Sequence, residues 1–67
     1  MNKVLLRYYM ALNGDTNKDL AALLDITEQS VSSKINENGS EFKQGEIAKI
    51  RDRYKLTAEQ VEAIFFN

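Results

Sequence analysis

The stretch TNKDLAALLDITEQSVSSKINENG, Thr16 to Gly39, decides the fold. Leu20, Leu23 and Leu24 recur at helical spacing, with the small Ala21 between them. Thr16 is a good N-cap, and Asp19 three residues on can return its hydrogen bond in a T-x-x-D capping box. A helix therefore starts after Thr16. Asp25-Ile26-Thr27 breaks the pattern. Thr27 can cap the next helix, over about Glu28–Asn36, and Ile26 and Val31 are spaced as a hydrophobic staple across its start. Val31 and Ile35, at i and i+4, give that helix a narrow buried stripe. Its other residues are polar: Glu28, Gln29, Ser30, Ser32, Ser33, Lys34 and Asn36.

N-terminal to this stretch, a first helix is expected over about Lys3–Leu12. Its inward stripe is read as Leu5, Tyr8 and Leu12, with Val4 and Tyr9 beside it. Asn13-Gly14 ends it, because glycine accepts the left-handed conformation past a helix end. On the other side, Asn36 to Ser40 reads as a turn with Gly39 as its permissive residue. A fourth helix covers about Gln44–Tyr54, with Ile47, Ile50 and Tyr54 inward and Phe42 plugging the core from the loop before it. A fifth follows Thr57, where Thr57 and Gln60 form a T-x-x-Q capping box and Leu56 and Val61 a staple. Ile64, Phe65 and Phe66 close it. No segment alternates long enough for a strand, and no internal repeat is evident. The expected fold class is all-α: five short helices in a single domain over residues 1–67, with the helix-turn-helix at about 17–36.

Composition narrows the function. The chain has 67 residues and neither Cys nor His, which removes disulfides, nearly every structural zinc site and the usual nucleophile–base pairs. The serines lack a partner base, so no enzyme is expected, and no cofactor or small-molecule substrate. The apolar runs are far shorter than the roughly 20 residues of a membrane span. Arg7 interrupts the only stretch resembling a signal peptide, and a cytoplasmic setting is expected. The formal charge of -1 argues against sequence-blind attraction to nucleic acid but leaves room for a local basic face.

The polar run on the third helix carries the function. A helix packed only for structure needs no row of short hydrogen-bonding side chains. A helix in a major groove does, because Gln, Ser, Asn and Lys match the donors and acceptors on base edges. At this point the segment Thr16–Gly39 resembles the helix-turn-helix of the Cro/phage-repressor family, the lambda-repressor-like fold. FKQGEIAKI, Phe42 to Ile50, and VEAIFF, Val61 to Phe66, are similar to the closing helices of small phage regulators in that family.

The resemblance implies a sequence-specific, double-stranded DNA-binding regulator of transcription in a bacterial host, of phage or mobile-element origin. By position it implies base readout by Glu28, Gln29, Ser32 and Ser33, phosphate contacts from Asn17 and Lys43, and flanking phosphate or base contacts from Thr27 and Asn36. Two departures stand out. Asp25 occupies a turn position where the family usually has Gly, a left-handed site that Asp tolerates. Lys34 stands where an apolar residue is common, which leaves two phases for the helix and Ser32 competing with Ser33 as base reader. Glu28 has two readings, acceptance from a cytosine amino group and stabilisation of the helix N-terminus.

Between Lys43 and Lys55 there are five cations against two acids, whereas Glu59 and Glu62 stand without relief after Thr57. Lys43 is read as a phosphate contact, and Arg51 and Arg53 as a solvated helix face. Tyr8, Tyr9 and Tyr54 are read as core rather than stacking residues. Phe65 and Phe66 are adjacent, which leaves two readings: both are wedged under the first helix, or one faces the core and the other leans outward, where it suits a weak homodimer. The rival expectation is a protein-interaction module of the same fold, an antitoxin or antirepressor partner.

Overall fold

The computed structural model describes residues 1–66. Five helices follow in order: α1 Lys3–Leu12, α2 Asn17–Leu24, α3 Glu28–Ile35, α4 Gln44–Tyr54 and α5 Ala58–Phe65. No strand occurs among the described residues, and no helix there is long and apolar enough to cross a membrane. Local chemistry sets the boundaries. The Asn2 side chain accepts from the Leu5 N–H at 3.1 Å and starts α1. Asp19 accepts from the Thr16 N–H at 2.8 Å at the head of α2. Thr57 and Gln60 close the full reciprocal box at 2.7 and 3.2 Å. The third helix stops at Ile35, one residue short of the expected end, with Asn36 as its C-cap.

α2 packs on α3 and on α4, and α5 packs on α4 and α1. The core is built from Leu6, Met10, Leu20, Ala21, Leu24, Val31, Ile35, Ile50, Tyr54, Leu56 and Ile64. Phe42 does plug it from the loop, its ring edge-on to Phe65 with centroids 5.7 Å apart. The inward face of α1 differs from the expected one. Leu6 and Met10 are buried, Leu5 and Tyr9 are partly buried, and Val4, Tyr8 and Leu12 are exposed. The expected stripe was the one farthest from Lys3 and Arg7. Nearly every other residue of α1 is apolar, so its own pattern fits two phases, and packing against α5 selects the other one. Tyr54 is core as expected, and Tyr8 is not.

The turn after α2 recurs after α4, although the sequence shows no evident repeat. Asp25 and Lys55 both take the left-handed conformation, with φ 57° and 53°. The next residue in each case, Ile26 or Leu56, donates its N–H back to the preceding helix, to Ala21 or Arg51, at 3.0 Å. Thr27 and Thr57 then cap α3 and α5 with nearly the same extended backbone. The chain thus contains two helix pairs with one turn geometry, α2–α3 and α4–α5.

A third feature ties distant parts. Asp15, in the α1–α2 loop, accepts from Arg53 through two nitrogens at 2.6 and 2.7 Å and from the Tyr54 hydroxyl at 2.7 Å. Only 4% of the Asp15 side chain is exposed. The Arg53 guanidinium holds the Asp15 carboxyl below its ordinary pKa. Burial, and then the bond to Asp15, push the Tyr54 phenol well above its ordinary value, so it remains the donor.

Candidate nucleic-acid interface

Both repeated pairs present a second helix, but only one has a surface that suits DNA. α5 carries Glu59 and Glu62 on its exposed side and no base, so phosphates repel it. α3 turns Val31, Lys34 and Ile35 inward. At about 100° per residue, that places Gln29, Ser33 and Asn36 on the opposite side, with Ser32 on the flank. Gln29, Asn36 and Glu28 are exposed, and Ser32 and Ser33 are partly buried. Ser33 therefore lies closer than Ser32 to the middle of the outward row. Ser32 also accepts from the Asn36 amide at 3.4 Å. Among the described residues no intramolecular hydrogen bond engages the Gln29 side chain.

Lys34 does not belong to the outward polar row in which the sequence pattern sets it. It is 9% exposed. Its ammonium donates to the Glu41 carbonyl at 3.0 Å and pairs with Glu46 at 3.3 Å. The four-carbon stem packs as an apolar side chain while the charge finds partners at its tip. Glu46 also accepts from the Lys43 N–H at 2.8 Å, at the start of α4. One carboxylate thus joins the back of α3 to the loop that carries Lys43. Ile35 is fully buried beside Lys34, so both positions face inward and the phase of the helix follows.

The four residues expected at phosphates lie on three segments. Asn17 is the first residue of α2 and is partly buried. Thr27 is exposed, but its hydroxyl already caps α3, accepting from the Ser30 N–H at 3.0 Å and donating to the Ser30 hydroxyl at 2.9 Å. Asn36 and Lys43 flank the α3–α4 loop, both exposed. Lys18, next to Asn17, is an exposed cation the sequence reading did not single out. The five cations of the Lys43–Lys55 stretch are reduced by pairing: Arg53 is held by Asp15, and Arg51 lies 3.1 Å from Asp52. Lys43, Lys49 and Lys55 remain exposed, with no ion pair among the described residues.

Comparison of the chain with protein-family models, curated proteins and solved structures found no match.

Proposed function

We propose that this chain is a sequence-specific double-stranded DNA-binding regulator of the Cro/repressor kind, with α3 entering the major groove. The observation that carries the reading is the outward row Gln29, Ser33 and Asn36. It stands on a helix whose opposite side is locked to α2 and, through Lys34, to the start of α4. A rigid helix with a short polar face is the chemistry that base-edge recognition needs. Gln29 leads the readout, with Ser33, Ser32 and Glu28 beside it. Asn17, Thr27, Asn36 and Lys43 position the backbone, and Thr27 does so by exchanging its bond to Ser30. With few free cations near this face, phosphate attraction is modest, and affinity depends on base contacts and on a weak homodimer joined near Phe65 and Phe66.

Selection of bound sequences from a random duplex pool tests this directly. The expected result is enrichment of a two-fold symmetric site, with half-sites about 34–36 Å apart. Binding should weaken with salt, with a shallow slope set by a few phosphate contacts. No enrichment, together with no duplex binding at low salt, would overturn the reading. That outcome would favour the protein-interaction module, for which the exposed Phe66 speaks.

A further inference from the structure

Four large apolar side chains are exposed among the described residues, and three of them form a single line. Val4 is 73% exposed, Tyr8 55% and Leu12 63%, at i, i+4 and i+8 on the outer side of α1. The fourth, Phe66 at 65%, is the C-cap just past α5. A contiguous apolar stripe on a small domain marks a contact surface. Its charges indicate what fits there. α1 carries Lys3 and Arg7 and no acid. The outer side of α5 carries Glu59 and Glu62 and no base.

We infer that the outer stripe of α1 docks on α5 of a second copy of this chain, with Lys3 and Arg7 facing Glu59 and Glu62, and Val4, Tyr8 and Leu12 meeting Phe66. The two helices are neighbours within one copy, since the Asn2 N–H donates to the Ile64 carbonyl at 2.7 Å. A two-fold axis can therefore set each α1 on the other's α5, and the interface closes on itself. Pairing of α1 with α1 is disfavoured, because an antiparallel match about its midpoint sets Arg7 near Arg7. The inference gives a partner surface to the homodimer proposed above, but it stands apart from DNA binding. It also accounts for the acidic face of α5, the second helix of the second of two equivalent pairs: that face is a protein contact.

Reciprocal charge exchange tests it by sedimentation equilibrium over a wide concentration range. Lys3→Glu/Arg7→Glu and Glu59→Lys/Glu62→Lys change only exposed side chains, and circular dichroism and melting confirm that each variant folds. The natural chain is expected to self-associate. Each variant alone should show a dissociation constant raised by more than about tenfold. An equimolar mixture of the two should recover the natural association, since both contacts are then opposite in charge again. A Val4→Ser/Tyr8→Ser/Leu12→Ser variant should be monomeric alone, and no charge-exchanged partner should restore the natural association. A natural chain that stays monomeric, variants that associate unchanged, or a mixture that fails to recover would each overturn the inference. So would a natural chain that stays monomeric yet binds vesicles of anionic lipid. Duplex binding, measured on the same samples, separates the two proposals. Self-association that follows the charge pattern without any duplex binding removes only the regulator. A selected duplex bound by variants whose self-association is unchanged removes only this interface.

Discussion

Gln29 and Lys34 sit five residues apart on one helix and do opposite work. Gln29 projects from the outward row with its amide unused, so under the proposed function truncation should be felt in DNA binding and not in folding. Gln29→Ala is expected to cost about 1–3 kcal/mol of binding and to relax preference at one base pair. Base preference compared between variant and natural chain checks this, and an unchanged preference would remove Gln29 from the reading set. Lys34 is the reverse case. Its stem fills space and its ammonium satisfies the Glu41 carbonyl and Glu46. Lys34→Ala loses both and should cost about 1–3 kcal/mol in urea denaturation. Lys34→Met keeps the stem and should cost less. Equal losses would mean that packing along the stem contributes nothing.

At the scale of elements, the two equivalent turns differ in the residue that bears the left-handed backbone. Asp tolerates that conformation better than Lys, whose Cβ meets the following carbonyl with no local hydrogen bond in return. Lys55→Gly should therefore stabilise the chain by about 1 kcal/mol, and Asp25→Gly by less. Urea midpoints of the two variants give the ranking, and a destabilising Lys55→Gly would show that the side chain contributes more than the strain. These turns also show what the sequence could reveal. The caps of α2, α3 and α5 and the inward residues of α2 and α4 were legible because each is decided within a few residues. The phase of α1 was not, because its charges flank the buried side instead of opposing it. The inward Lys34 was hidden because its charge reads as surface until Glu41 and Glu46 are placed around it. For the site, the polar character of α3 was readable, and the choice between Ser32 and Ser33 needed that inward lysine.

Across the whole molecule, Asp15, Arg53 and Tyr54 join residues nearly forty positions apart, a pairing that no local pattern announces. The carboxyl of Asp15 is held below its ordinary value of 3.8, so its contribution to stability is present above that pH and is lost as the pH falls through the lower, folded value. Asp15→Asn should lower stability by about 1–2 kcal/mol at neutral pH, the half-open Arg53 keeping the loss moderate. It should also flatten the acid limb of the stability curve. Urea unfolding from pH 7 to pH 2.5 measures both effects, and parallel curves for the two proteins would contradict the assignment. The same pairing bears on the time course of folding. α2–α3 and α4–α5 join chain neighbours, whereas the Asp15–Arg53 bond closes a loop of 38 residues. Short-range pairs assemble early, because little chain entropy is lost in meeting. A clasp fastened after those pairs leaves the rate of assembly untouched and contributes to how long the assembled chain persists. Asp15→Asn should then leave the refolding limb of a chevron in place and raise the unfolding limb, making this carboxylate one of the settings of the native lifetime.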